Sequence, residues 1–461
     1  MGGTCLIDDD LREEIRRNEE WEMIDAKGMD EYIKQKEERM NNWVPQSVVE
    51  ITKLVKGYVV GGAVRDHLLN KPVYDYDIST PYIPGQVESI LRAQGFKTIL
   101  TGAKYGTVSV LLNDLKRPVE ITTYRQEFYS TEKGRFPDVA YHLNRDNDLM
   151  RRDFTINAMA YDAINNEFID PHGGMHDIMD RKIKFVGNGF ERIKEDPLRI
   201  IRTCRIAATL GFRIEDNTSE ALTEMRSSLT TLSQDRMVME IRKANNYLFK
   251  FIQHLLRHHL TEYVFGFDFT GMLMIEHDNR GNHYGESIWK HTLDALERAD
   301  KNEWFNFPLR MAILYHDAGK ILTKSEVNGK IQFLNHETVS ANIFTNSLGS
   351  FTGLETKVKK QIEFLIQNHM MFPLLESKRK IIRTGIDWKI QNVPFEWIEN
   401  LSRLAYCDRG IEFNGLLEKL REVYFNVPRP DGTTFLKYSV NIRKDLIRQA
   451  WIENAHQSLR W

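Results

Sequence analysis

The stretch Val59-Val60-Gly61-Gly62-Ala63-Val64-Arg65-Asp66, with Asp75-Tyr76-Asp77 close behind it, limits what this chain can fold into more than any other. An apolar strand runs into two glycines, then into a short helix carrying Arg65 and Asp66. A second strand then brings two carboxylates separated by one residue. Gly61 and Gly62 permit a tight strand-to-helix turn with exposed backbone N–H groups, and the helix N-terminus adds a field that favours phosphate. Arg65 can meet phosphate or a carboxylate through its fork of donors. Asp75 and Asp77, two residues apart, should share one strand face. Two carboxylates so held suit a pair of Mg2+ ions, one activating a hydroxyl and the other holding a triphosphate. Glu120, on a predicted strand Val119–Thr123, is the candidate third oxygen ligand. Surface carboxylates after an ordinary turn are the competing account. The close coupling of the glycines, Arg-Asp and Asp-x-Asp speaks against it.

A chain of 461 residues exceeds one compact core and should divide into about two to four domains. Its formal net charge is only −2, so a nucleic-acid surface would have to be a local Lys/Arg patch. Cys5, Cys204 and Cys407 are too few and too far apart for a disulfide framework or a zinc ribbon, which fits a reducing, cytoplasmic compartment. The N-terminus lacks the apolar run of a signal peptide, and no stretch approaches the length of a membrane span.

Residues 1–45 are charge-dense, with Asp8-Asp9-Asp10, Glu13-Glu14 and Glu19-Glu20, and read as a solvated helical extension. Short β-branched runs follow at Tyr58–Val60, Asp77–Ser79, Thr107–Leu112, Val119–Thr123 and Ile156–Tyr161. Their spacing predicts a small mixed sheet with crossover helices, a head over 46–190. From Arg192 onward the pattern turns helical, with Leu198, Ile201, Cys204 and Ala208 at helical spacing behind Pro197. This predicts a helical neck over 191–265, a helical body over 266–415 and a tail over 416–461.

Two further clusters carry chemistry. In Arg151-Arg152-Asp153-Phe154-Thr155-Ile156-Asn157, the arginines can meet triphosphate oxygens while Asp153 or Asn157 meets hydroxyls. A solvated turn before a strand is the plainer account. In Glu195-Asp196-Pro197-Leu198-Arg199, with Arg202 and Arg205 behind it, helical spacing gives an ordinary surface ion pair. The functional account uses Asp196 and Arg199 as a protein template for a base edge. The carboxylate accepts from the exocyclic amine of cytosine or adenine, and the guanidinium donates to the ring nitrogen beside it. Uracil and guanine present the wrong groups, at about 1–3 kcal/mol per mismatched pairing.

In order and spacing these segments resemble the class II (bacterial-type) tRNA nucleotidyltransferases, the CCA-adding enzymes, and their relatives the bacterial poly(A) polymerases. The likeness continues through Gly173-Gly174-x-x-Asp177 and Leu232-Ser233-x-x-Arg236 and covers residues 55–245. It implies an α+β fold: a small mixed-sheet, polymerase-beta-like nucleotidyltransferase head, then an all-helical neck, body and tail. It implies Mg2+ on Asp75 and Asp77, and nucleotide contacts from Gly61, Gly62, Arg65, Arg151, Arg152, Asp153, Asn157, Asp196, Arg199, Arg202 and Arg205. CTP and ATP are the implied substrates, and the acceptor arm and 3′ end of tRNA the implied partner. Relatives that add only CC lack a flexible segment that is intact here, from Tyr124-Arg125-Gln126-Glu127 through Arg135-Phe136-Pro137 to Asp148. That favours terminal A addition. Where poly(A) enzymes tend to carry a basic Gly-Arg/Lys-Arg/Lys-Phe segment, Gly102-Ala103-Lys104-Tyr105-Gly106-Thr107 stands instead. The alternatives are an A-adding enzyme working with a separate CC-adding one, a poly(A) polymerase, and a non-catalytic RNA-binding protein. Asn70 replaces the family's usual glycine at the end of the Arg-Asp helix, and asparagine also tolerates a left-handed cap.

In the helical body, His291, Tyr315-His316-Asp317-Ala318-Gly319-Lys320 and Asp408 resemble the ligand set of the HD phosphohydrolase fold, with His283, His336 and His369 nearby in sequence. Imidazoles and carboxylates together suit a second divalent metal, Mg2+, Mn2+ or Ni2+, that activates water against a phosphoester, such as a phosphomonoester or 2′,3′-cyclic phosphate of an RNA end. The plainer account has these histidines capping helices and filling polar core positions.

Overall fold

Seven short strands build one mixed sheet in the order β3-β4-β5-β2-β1-β8-β9. They are β1 (Tyr58–Val60), β2 (Asp77–Thr80), β3 (Lys97–Ile99), β4 (Thr107–Leu111), β5 (Val119–Thr123), β8 (Ala160–Asp162) and β9 (Glu167–Ile169). The computed structural model describes residues 42–128, 138–141, 144–276, 286–328, 330–431 and 439–459. The predicted extension up to residue 41, His283, and residues 129–137 of the predicted flexible segment lie outside the described residues. The hairpin β6 (Arg125–Phe128) and β7 (Asp138–Tyr141) flanks that segment.

The chain divides into two compact units, Met1–Ser233 and Gln234–Trp461, and this boundary falls within the predicted neck. In the first unit the glycine turn joins β1 to helix α2 (Gly62–Leu68), after α1 (Gln46–Leu54). Central β2 pairs antiparallel with β1 and parallel with β5. A parallel pair needs a crossover, and α3 (Pro84–Ala93) supplies it, starting on a proline and burying Val87 and Leu91. Val60 and Ala160 pack with Leu149 of α4 (Arg145–Met150), which anchors the Arg-Arg-Asp segment beside the glycine turn.

The predicted strand Ile156–Tyr161 begins only at Ala160. Thr155–Asn157 is a tight 3-10 turn, because Thr155 donates to Asp177 (2.6 Å) and Asn157 to Asp153 (3.1 Å), and these side-chain bonds replace a strand ladder. Beyond α5 (Gly174–Met179) and α6 (Gly189–Glu195), helix α7 (Leu198–Leu210) buries Leu198, Ile201, Cys204 and Ala208 and ends on left-handed Gly211. Asn70 is left-handed too, with φ 54°. The neck is not wholly helical, since β11 (Arg213–Ile214) pairs parallel with β10 (Lys182–Ile183), and α8 (Asp216–Glu224) closes the unit.

The second unit is a helical array: α9 (Gln234–Lys243), α10 (Leu248–Arg257), α11 (Thr261–Phe265), α12 (Ile288–Lys301), α13 (Phe307–Tyr315), α14 (Lys320–Thr323), α15 (His336–Asn346), α16 (Thr356–Asn368), α17 (Met371–Leu374), α18 (Lys378–Ile390), α19 (Phe395–Arg409), α20 (Asn414–Asn426) and α21 (Val440–Ser458). The expectation of an all-helical body is corrected by the hairpin β12 (Lys324–Val327) and β13 (Lys330–Phe333). Its signal stood in the sequence as Asn328-Gly329 between β-branched residues, and Asn328 has φ 55°. Among the described residues, no helix is long and apolar enough to cross a membrane.

Candidate functional site

In the head, Asp77 opens β2 and faces Glu120 of β5 across a parallel pairing, and both are exposed. On its other side Asp77 pairs with Val60, one residue before Gly61. Gly61 has φ 75°, and a Cβ there would come within 2.8 Å of an Arg152 guanidinium nitrogen and 3.7 Å of Asp77 Oδ2. Glycine is thus required twice, for the backbone conformation and for the approach of Arg152. Solvent reaches Asp77, yet the surrounding protein desolvates it enough to push its carboxyl up to about 6; Arg152 opposes the rise, and Glu120 and Asp75 add to it.

Asp75 corrects the expectation of two aspartates on one strand. It lies before β2 and pairs with Arg117 on the exposed bend leading into β5. The alternation of exposed and buried residues from 75 to 78 still keeps it on Asp77's side of the chain. Among the described residues, groups of three or more ligands within 4.8 Å of one another occur only in the helical body, so Asp75, Asp77 and Glu120 do not converge to that degree. Their donors are all carboxylate oxygens, the type that Mg2+ takes.

Behind this face runs a chain of ion pairs. Asp148 of α4 is fully buried; Arg151 donates to its Oδ1 at 2.7 and 2.9 Å, while Ser79 of β2 donates to Oδ2 at 2.8 Å and Arg152 reaches it at 3.5 Å. Burial alone would raise this carboxyl, but Arg151 and Arg152 hold it below the ordinary range. Arg152 also donates to Ser79 (3.3 Å), and its buried Nε has no hydrogen-bond partner. Its Nη1 lies against Gly61, where a guanidinium fits an anionic ligand.

A second chain links α2 to α7. Arg65, ion-paired with Asp66, donates to Asn157 (2.7 Å), and Asn157 donates to Asp153. Asp153 also accepts two bonds from Arg202, at 2.6 and 3.1 Å. It is held well below the ordinary range against its own burial, chiefly by Arg202. Asp196 caps α7 by accepting from Leu198 N–H (3.1 Å). Arg199 donates to Glu195 (2.6 Å) and to the carbonyls of Arg192 (3.0 Å) and Arg151 (2.9 Å). Three contacts therefore fix its plane and leave Nε–H and one Nη2 hydrogen for another acceptor. Arg205 sits one turn beyond Arg202, half-buried. The Glu195–Arg199 ion pair is the one helical spacing gave, whereas sequence reasoning missed Ser79, and Asp148 as the acid holding the Arg-Arg pair. The last was legible as an Asp three and four residues before two arginines at a helix end.

In the second unit, His291 of α12, His316 and Asp317 after α13, and Asp408 of α19 meet as expected, and His336 and His369 join them; all six are buried. His291 Nε2 lies 2.8 Å from Asp408 Oδ1 and 3.7 Å from Asp317 Oδ2, and His316 Nε2 lies 3.3 Å from Asp317 Oδ2. Asp317 also accepts from Lys320 (2.7 Å). Burial would lower His316, but Asp317 and Asp408 raise it to about 10. Burial, then His316, drives His369 down to about 3. Mixed nitrogen and oxygen donors suit a divalent transition metal. Gly319 allows the close approach behind this convergence: it donates to Ser340 Oγ (2.8 Å), and a Cβ would strike the backbone of α15, the helix that His336 opens.

Residues 57–184 match the family described as Poly A polymerase head domain, and residues 211–266 the probable RNA and SrmB-binding site of polymerase A. The CCA-adding enzyme of Enterococcus faecalis is 40% identical over 188 residues, 41% of this chain and 45% of that one. That of Streptococcus uberis is 38% identical over 203 residues, 43% and 49%. The matched stretch thus spans about half the length of these curated relatives. Among solved structures, the Bacillus stearothermophilus CCA-adding enzyme in complex with CTP superposes with TM-score 0.62 at 24% identity, over 88% of this chain and 91% of that one. The Thermotoga maritima enzyme complexed with tRNA gives 0.55 at 17% identity, over 92% and 95%. At those identities the likeness is one of fold. The head and RNA-binding segments of polymerase A are thus matched in order over residues 57–184 and 211–266, within a fold like that of the CCA-adding enzymes.

Proposed function

We propose that this chain adds C, C and A, from CTP and ATP, to the 3′ end of tRNA without a nucleic-acid template. The observation that carries this reading is the solvent-facing pair Asp77 and Glu120, set against Gly61 and the guanidinium of Arg152. Asp77, with Asp75 and Glu120, would hold Mg2+, which would supply activation of the 3′-hydroxyl and neutralisation of the triphosphate. The chain's own residues do the rest. Arg152 and Arg151, steadied by Asp148, and Arg65, steadied by Asn157, receive the phosphates. Arg199, its plane fixed by Glu195 and two carbonyls, offers its remaining N–H groups to cytosine N3 or adenine N1, and Asp196 takes the exocyclic amine. Asp153, held by Arg202 of the neck helix, and Arg205 one turn further on order the ribose side. The tRNA partner follows from the relatives' names, and the buried free cysteines Cys204 and Cys407 support a reducing, cytoplasmic setting.

The intact segment between β6 and α4 supports completing the triplet instead of stopping at CC. A tRNA lacking its 3′-terminal CCA, incubated with Mg2+ and each nucleotide singly and together, tests all three activities. Two cytidines from CTP alone and one further adenosine with ATP are expected. A long tail from ATP alone would show a poly(A) enzyme, a lone A added only to tRNA ending in CC an A-adding enzyme, and no extension a binding protein.

The buried cluster supports a second reading for the body, an HD-type phosphohydrolase centre in which His291, His316, Asp317 and Asp408 hold a divalent ion. Such an ion would supply an activated water against a phosphoester at an RNA end.

A further inference from the structure

Tyr76 stands between Asp75 and Asp77 and is buried where both of them are exposed. Its carbonyl accepts from the Glu120 N–H at 3.1 Å. The Tyr76 backbone therefore joins all three acids of the head, two as chain neighbours and the third through this bond. Whatever fixes the Tyr76 ring also fixes where those carboxylates stand relative to the glycine turn.

Trp43, two residues before α1, packs against that ring and two others. It stacks on His67 of α2, with centroids 4.3 Å apart and planes 11° apart. It meets Tyr76 at 6.2 Å and 28°, and Tyr161 of β8 at 5.6 Å and 41°. His67 follows Arg65 by two residues on the same short helix, and Tyr161 pairs with Val59 of β1, the strand that runs into Gly61. One indole thus touches the helix that carries Arg65, the segment that carries the acids, and the strand beside the glycine turn. Its buried N–H has no hydrogen-bond partner among the described residues, so ring packing places it. Its chain neighbours are held as well: the Asn42 backbone bonds the Tyr161 hydroxyl, and Val44 is buried.

We propose that Trp43 is a positioning residue for nucleotide transfer, a role that rests on the reading given above. It sets the spacing between α2, with Arg65, and the Asp75–Asp77 segment, so that one triphosphate can meet both the arginine and the metal-binding acids. Trp43 acts through His67 and Tyr76, not by touching the substrate. Displacing reacting groups by about 1 Å can cost roughly a hundredfold in rate. Residues that orient metal ligands typically account for about ten- to a hundredfold in metal affinity. A ring that only filled space would contribute to stability alone.

The test compares the full chain with its Trp43→Ala and Trp43→Phe variants. CTP binding is measured by equilibrium dialysis without tRNA, with and without Mg2+, and transfer to tRNA is followed as Mg2+ is titrated. In W43A the gain in CTP affinity that Mg2+ confers should fall about tenfold, and the half-saturating Mg2+ should rise to match. Its kcat should drop by about ten- to a hundredfold at an unchanged KM for tRNA. W43F, which keeps a ring in place, should recover most of each loss. A lower Tm with unchanged Mg2+ dependence and kcat would make Trp43 a stability residue only and overturn the proposal. Should W43A fail to fold by circular dichroism, His67→Leu decides by the same readouts, since it removes one of the three ring contacts at a half-buried helix position. A smaller shift in the same direction is expected there, and Mg2+ dependence equal to that of the unsubstituted chain overturns the proposal. No transfer and no Mg2+ effect on CTP binding in the unsubstituted chain would overturn the transfer reading itself, and the role of Trp43 with it.

Discussion

The head and the helical body both gather acidic groups, and they do so in opposite ways. Asp77 and Glu120 stand exposed, side by side on two strands, with oxygen donors only, and desolvation, helped by repulsion from Glu120 and Asp75, raises the Asp77 carboxyl to about 6. Asp317 and the five residues around it are buried, mix imidazole with carboxylate, and are bound to one another or to backbone carbonyls. An open oxygen face suits a hard cation that arrives and leaves with its triphosphate. A closed nitrogen-and-oxygen cluster suits an ion that stays. The two regions should therefore respond to different substitutions, and each of the following tests that separation.

The largest effect is expected from Asp77→Ala, which should lower nucleotide transfer by at least about a thousandfold while leaving the body's metal content unchanged. Nucleotide incorporation and metal counting on one preparation check both halves. Near-normal transfer would remove Asp77 from the chemistry, and a changed metal count would break the separation.

Next comes Asp148→Asn. Removing the buried acid leaves Arg151 and Arg152 without their charge partner and should destabilise the chain by about 3 kcal/mol, read by chemical denaturation. Apparent CTP affinity should fall about tenfold as the arginines lose their aim. The pH dependence has a fixed sign. Asp148 and Asp153 are held below their ordinary values when folded, so their contribution is fully present above about pH 4. It is lost as pH falls further, through the folded values. Asp148→Asn should flatten that acid limb.

Asp196→Ala and Arg199→Ala should relax the preference for CTP over UTP by about 1–3 kcal/mol, or roughly 5- to 150-fold, with the selectivity read in single-nucleotide assays. Unchanged selectivity would leave Asp196 as a helix cap and Arg199 as an ion-pair partner. The smallest effect is expected from Arg117→Ala. An exposed ion pair contributes about 0–1 kcal/mol, so freeing Asp75 should tighten the Mg2+ dependence of transfer by no more than about threefold. No change at all would mark Asp75 as a surface residue.

The open site was far more legible in the sequence than the closed one. Gly61 directly follows a short strand, Asp77 and Glu120 lie on strands short enough for alternation and spacing to fix their facing, and Val119–Thr123 begins and ends where the pattern put it. Asp75 escaped because the alternation rule says nothing about Arg117, which meets it from another segment. The Ile156–Tyr161 strand failed because β-branched residues advertise a strand while Thr155 and Asn157 spend their hydrogen bonds on Asp177 and Asp153. His336 and His369 were visible as residues but not as ligands. Their meeting depends on helix ends packing through Gly319, a tertiary fact with no local period.

The most direct measurement is anomalous scattering from crystals of the full chain soaked with CTP and Mn2+. The account predicts a Mn2+ peak about 2.0–2.2 Å from an Asp77 carboxylate oxygen and shared with the triphosphate. Triphosphate bound in the head with no peak beside Asp77 would contradict it.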